Sequence, residues 1–338
     1  MGNQVSDMKQ EGGSLKLTMG GVPIVISADN RSFLDELIVE LSSHSTPSPL
    51  PTLEAIRVSF TQKREFSDVL PEPEGRKEFF MVTQELGVVI DYEQLQAEVI
   101  GTDGFNLDEA LLVMVGTLGF LLTLALSQRG RATSFHAASL VRKGKGVMLP
   151  GETGAGKTSL SYLLTNNGFR YLSDEQSIIF AGDNVPTPCY KVVGLPRRIR
   201  LIADEEESPF GIPLRGGRKW EAFGQQGWLI DPRSLKGDSY IESSPLRSII
   251  CLKNQTGLSH PRLQRLSRSE AYFSLLAAAD TTEALGSPKA LHPTFRKLNR
   301  ESFCMVGELV ENFKVLELQY DLKSHYRQIP AMIAQTLS

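Results

Sequence analysis

Residues 149–160, LPGETGAGKTSL, constrain this chain more than any other stretch. They hold Gly151-x4-Gly156-Lys157-Thr158, with an apolar strand (GVML) before and a helical run (TSLSYLLTNNG) after. Glycines at 151, 154 and 156 let the backbone turn its N–H groups inward, where side chains would obstruct an anion. A helix beginning near Lys157 aims its positive end at the same place. Such a strand–loop–helix wraps the phosphates of a nucleotide. The cradle runs through Gly151, Glu152, Thr153, Gly154, Ala155, Gly156, Lys157, Thr158 and Ser159. Lys157 is expected to reach the β- and γ-phosphates, and the Thr158 hydroxyl to ligate Mg2+. The loop speaks for a nucleotide and is silent on the reaction.

A second element narrows the chemistry. Magnesium on a triphosphate needs a carboxylate close by, and phosphoryl transfer to a hydroxyl benefits from a base. Asp174-Glu175 follows Lys157 by 17 residues (174 − 157), the length of one short helix plus one strand. A tight return of that length brings both acids to the phosphates; a solvated strand end is the alternative. The acids are expected at the centre of one strand, FRYLSDEQSIIF. His136, in SFHAASL, stands on the strand that enters the unit and can lead beneath the phosphates, or serve a structural role.

Residues 135–175, FHAASLVRKGKGVMLPGETGAGKTSLSYLLTNNGFRYLSDE, resemble the nucleotide core of the HPr serine kinase family. They are similar, more distantly, to the ATP-dependent phosphoenolpyruvate carboxykinases. The shared order is a histidine strand, a turn, a strand, the glycine loop, a short helix, then a strand with paired acids. The resemblance implies an α/β fold with a P-loop core, ATP and Mg2+ as cofactors, and transfer of the γ-phosphoryl group to a serine-type hydroxyl of a protein or peptide. It assigns Lys157, Asp174 and His136 to catalysis, with Asp174 matching the acid implicated in deprotonating the acceptor serine. It assigns Thr158, Glu175 and Asp174 to the metal, and which acid is base and which ligand stays open. His136 matches a histidine near the transferred phosphate, a metal ligand in the carboxykinases.

Two departures matter. Glu175 is one methylene longer than the aspartate usual at its place. The proline-arginine-glycine-arginine-asparagine signature of the HPr kinases is absent, so neither HPr as acceptor nor the reverse reaction follows. The chain is closer to the looser set of HPr-kinase-related proteins, some linked to modifying small peptides. No Asn-Lys-x-Asp guanine-reading tetrad occurs (LKNQ at 252–255 is not one), and ATP over GTP rests on the resemblance. A nucleotide-binding regulator without catalysis is the main alternative; persistence of both acids favours the enzyme.

Around this core, texture divides the 338 residues into a small α+β domain of unassigned role, 1–103, and a kinase domain, 104–338. In the first, LKLTMGGVPIVISA reads as a hairpin about Gly20-Gly21, and RSFLDELIVELSSH as an amphipathic helix. STPSPLPT is a proline-rich loop, and AIRVSFTQ, EFFMVTQE and LGVVIDYE are strands. In the second, ALLVMVGTLGFLLTLALS (110–127) carries no charge and reaches membrane-spanning length. Its capped start at Asn106 and two glycines favour a core helix buried between domains. GLPRRIRL (194–201) can aim Arg197, Arg198 or Arg200 at an oxyanion. Residues 203–220 read as a mobile loop or plain surface, and SEAYFSLLAAADTTEAL as a helix capped by Ser267 or Ser269.

Bulk properties agree with a folded chain and exclude little else. Apolar residues are 41% and charged residues 22%. A net charge of −3 makes no case for nucleic acid or an acidic membrane as partner. Three scattered cysteines form neither a disulfide framework nor a zinc set, which suits a reducing cytoplasm. The first residues lack a secretory signal; MGNQVS has a myristoylation form too short to carry weight. His260, His292 and His325 lack partner spacing and receive no role. A homo-oligomer is compatible with everything above.

Overall fold

Alternating apolar residues and glycine turns build the first part of the chain into one sheet. The computed structural model describes residues 14–41, 55–66, 77–182, 189–195, 197–202, 217–235, 241–279 and 293–338. The MGNQVS tail, the proline-rich 45–52 loop, the 203–216 stretch and His292 lie outside the described residues. The chain divides into two compact units, Met1–Gln128 with Thr282–Phe295, and Arg129–Thr281 with Arg296–Ser338.

In the first unit, β1 (Ser14–Met19) and β2 (Val22–Ala28) pair antiparallel across Gly20-Gly21, the hairpin read from sequence. With β3 (Ile56–Gln62), β4 (Lys77–Met81), β5 (Leu86–Asp91) and β6 (Gln96–Gly101) they form a sheet of order β1-β2-β3-β6-β5-β4. Helix α1 (Arg31–Leu41) buries Phe33, Leu34, Leu37 and Leu41, and Phe33 stacks on Phe60 of β3 with ring centroids 3.9 Å apart.

Helix α2 (Leu107–Ser127) belongs to this unit, whereas texture grouped it with residues 104–338. The Asn106 side chain caps it by accepting from the Glu109 N–H at 3.1 Å. Its length and composition suffice to cross a membrane, yet 78% of its apolar window is buried. It packs against β2, β3, β6 and α1. Burying each of its leucines stabilises by about 1.5–3 kcal/mol.

In the second unit, the long strand β7 (Gly130–Arg142) is the axis. It pairs antiparallel with β8 (Lys145–Pro150) and with β9 (Arg170–Ser173) along its second half, and with β10 (Gln176–Gly182) along its first. The sheet continues through β11 (Tyr190–Gly194) on one side. On the other come β15 (Ser243–Asn254), β17 (Val315–Tyr320) and β16 (Arg262–Arg265). Strand β11 also pairs with the start of β15, so β11, β10, β7, β8 and β15 close on themselves. A separate three-stranded sheet holds β12 (Ile199–Leu201), β14 (Gln225–Ile230) and β13 (Arg218–Ala222), in that order.

Successive residues of β7 point to opposite faces, and each face has its own core. Phe135, Ala137 and Val141 pack with Ala271 and Leu275 of α4 (Arg268–Ala278) and with Met305 and Leu309 of α5 (Pro293–Asn312). Ala138 and Leu140 pack with Leu160, Leu163 and Leu164 of α3 (Lys157–Asn166) and with Ile329 and Ile333 of α7 (Ile329–Gln335). A short α6 (Leu322–His325) precedes α7. Of the two serines the sequence offers as cap, Ser267 is the one used, in a reciprocal capping box with Glu270, and α4 ends at Ala278; the rest of the expected run, 280–285, lies outside the described residues.

Candidate active site

The glycine loop joins β8 to α3. Gly151 bridges to Leu252 of β15, fixing one end of the loop to the sheet. Glu152, Thr153 and Gly154 are exposed at the tip. Ala155 turns back inside, its N–H donating to the Glu152 carbonyl at 3.0 Å and its own carbonyl accepting from the buried Tyr320 hydroxyl. Gly156 is the N-cap of α3 at φ 89°, a left-handed conformation that side-chain-bearing residues resist. With glycine there, no side chain caps the helix. Lys157, Thr158 and Ser159 form its first turn, whose N–H groups and positive dipole end favour an anion.

The Lys157 side chain is buried and curls over the loop. Its ammonium donates to the carbonyls of Gly151 at 2.6 Å and Glu152 at 3.1 Å. Burial lowers its pKa, and the charge of Asp174 opposes that shift. The lysine and the acid are therefore electrostatic neighbours.

The strand expected over FRYLSDEQSIIF is two strands. β9 ends at Ser173 and β10 starts at Gln176, so Asp174 and Glu175 stand at the break and not mid-strand. The cause lies in the pairing with β7. Tyr171 faces Leu140 but Ser173 faces Ser139, an extra residue that shifts the register. A bulge of this kind re-aims side chains and bends the strand. The Ala137 N–H still donates to the Glu175 carbonyl at 3.0 Å, which keeps the bend anchored to β7.

Asp174 is almost fully buried, yet in polar company. Its Oδ1 accepts from the Tyr171 hydroxyl at 2.8 Å and from Arg197 Nε at 3.2 Å. Its Oδ2 is buried with no hydrogen-bond partner. Glu175 is half exposed and pairs with the Nη2 end of the same arginine. Sequence offered Arg197, Arg198 and Arg200 without choosing among them; the structure sends Arg197 to the acids. Gly194 makes that possible, because a Cβ there would sit 2.2 Å from the Leu172 carbonyl oxygen. Only a glycine lets β11 pass so close to the backbone of β9 and deliver Arg197 beside Asp174.

His136 lies on β7 opposite Gln176. Alternation puts it on the side of Ala138 and Leu140, the face that α3 covers. Burial lowers its pKa to about 4, and the charges of Lys157 and Arg197 push the same way against that of Asp174. His136, Lys157, Asp174 and Arg197 thus form one electrostatic group, with the imidazole neutral near pH 7. His325 is buried and its Nδ1 accepts from the Asp321 N–H at 3.0 Å, a structural use. Among the described residues, no three His, Cys, Asp or Glu side chains gather as a metal cluster.

No family model matches the chain. No curated protein matches it either. Among solved structures, it is similar to the Hpr(Ser) kinase/phosphatase from Coxiella burnetii, at 14% identity and a TM-score of 0.29. That match covers 60% of this chain and 94% of that one. At such a TM-score the likeness fixes neither fold nor function.

Proposed function

We propose that this chain is an ATP-dependent P-loop kinase that transfers the γ-phosphoryl group to a serine-type hydroxyl of a protein or peptide. The observation that carries the reading is Asp174 Oδ2, a buried carboxylate oxygen left unpaired beside the glycine-loop lysine. A buried, unpaired polar atom costs about 1–3 kcal/mol, an expense that makes sense where a ligand group completes it.

Each residue then has a task. The loop N–H groups and the uncapped start of α3 hold the phosphate chain. Lys157 exchanges the Gly151 and Glu152 carbonyls for phosphate oxygens. Mg2+, when bound, neutralises charge on the β- and γ-phosphates. Protein ligation of such an ion would come from Asp174, Glu175 and Thr158, the few ligands that suit a cation keeping water and phosphate in its shell. The acceptor oxygen attacks the γ-phosphorus, its proton passes to Asp174, and the bond to the β-phosphate oxygen breaks to release ADP. Positioning and charge neutralisation supply most of the rate.

A second reading, an ATP-binding regulator without catalysis, draws on Arg197, whose guanidinium already occupies both acids. ATP labelled in the γ position, offered with extract proteins and serine-containing peptides, separates the two. Label on a serine hydroxyl supports the kinase; nucleotide binding with no labelled product supports the regulator.

A further inference from the structure

Arg197 grips both acids, and its position bears on metal binding. It lies between β11 and β12, only 10% exposed, with Nε on Asp174 Oδ1 at 3.2 Å and Nη2 on Glu175 Oε2. Gly194 fixes the approach of its strand to within contact of Leu172, so the pairing is built into the backbone course. The Tyr171 hydroxyl takes a further lone pair of Asp174 Oδ1. A guanidinium fork so placed bridges two carboxylates at once, leaving Asp174 Oδ2 open.

We infer that Arg197 is the resident counter-ion of the Asp174–Glu175 pair, held in competition with a divalent cation for the same two carboxylates. The inference rests on the reading of these acids as the metal-bearing pair. Two cations cannot both be close partners of one small buried anionic site without strong mutual repulsion. Bare protein therefore binds a divalent ion weakly. The ion gains its full hold only when an anion such as a polyphosphate gives the guanidinium another partner. Arg197 thereby couples metal binding to nucleotide binding, and the coupling is reciprocal.

The test uses Mn2+, titrated into nucleotide-free protein and followed by the electron paramagnetic resonance signal of the free ion. Arg197→Gln is expected to bind Mn2+ about tenfold more tightly than wild type. Arg197→Lys keeps the charge but cannot fork across both acids, and falls between the two. Equal or weaker binding by Arg197→Gln overturns the inference. Should Arg197→Gln lose its fold, Arg197→Lys carries the comparison. Tighter binding than wild type then supports the inference, and equal or weaker binding overturns it. A wild-type protein that fails to bind fluorescent ADP with Mg2+ removes the nucleotide reading instead. The Mn2+ comparison stands apart from that result, because the bare protein is what it measures.

Discussion

The Tyr320 hydroxyl at the end of β17 donates to the Ala155 carbonyl in the glycine loop, joining two points 165 residues apart in sequence. The same hydroxyl would stand 3.3 Å from a Cβ on Gly156. A fully buried tyrosine from the far end of the unit thus holds the loop in shape from beneath.

Tyr320→Phe removes that hold while keeping the ring. A carbonyl left unsatisfied costs about 1–3 kcal/mol, so thermal unfolding should shift down while the far-UV circular dichroism stays native. Nucleotide affinity, read with a fluorescent ATP analogue, should fall several-fold. An unchanged affinity would show that Tyr320 serves the core alone.

Gly194→Ala tests the backbone crossing. The new methyl would meet the Leu172 carbonyl, main chain that cannot swing aside, so β11 must shift. Strain of this kind typically costs about 1–3 kcal/mol. Because β11 delivers Arg197, the variant should also lose activity out of proportion to its stability. A melt matching wild type would deny the close approach.

Lys157→Ala should abolish phosphoryl transfer and weaken nucleotide binding, since it removes the ammonium that grips the Gly151 and Glu152 carbonyls of the loop. Residual transfer near the wild-type rate in a γ-phosphate assay would remove the lysine from the chemistry.

His136 gives the pH dependence. Its pKa is about 4 in the folded chain, lowered from 6.5. Below pH 6.5 the unfolded chain binds a proton that the folded chain refuses, so protonation favours unfolding. The contribution of this histidine to stability is complete above about pH 6.5 and declines as pH falls toward 4. In denaturant melts between pH 4 and 7, wild type should therefore lose stability relative to His136→Gln as the pH falls, after subtraction of the shared carboxylate titration. Parallel curves would contradict the assigned shift.

How much of this was legible in the sequence follows from the range of the forces involved. The glycine loop, its flanking strand and helix, and the Gly20-Gly21 hairpin are local, and residues within a few positions dictate them; the α4 cap was narrowed only to Ser267 or Ser269. The split of FRYLSDEQSIIF is not local, because it arises from the register with β7, forty residues upstream by the Gln176–His136 pairing (176 − 136). Arg197 could not be told from Arg198 and Arg200 because its destination depends on Gly194 crossing β9. Strand β6, QAEVIG, is short and only weakly alternating, and sheet pairing with β3 and β5 decides it. Tyr320 gave no signal, since nothing around LELQY hints at a loop so far upstream. The apolar run in α2 reads as a buried helix, which its 78% buried window bears out, but its place within the first unit and its sheet partner could not be named from hydrophobicity alone.

The measurement that bears most directly on the account is a paired one on Asp174→Asn. Amide replaces carboxylate with little change in shape, so ATP binding through the glycine loop should persist, with a weaker hold on Mg2+, while phosphate transfer to the acceptor hydroxyl falls about 10²–10⁴-fold, the usual worth of a positioned base. Transfer by Asp174→Asn at the wild-type rate would contradict the account at its centre.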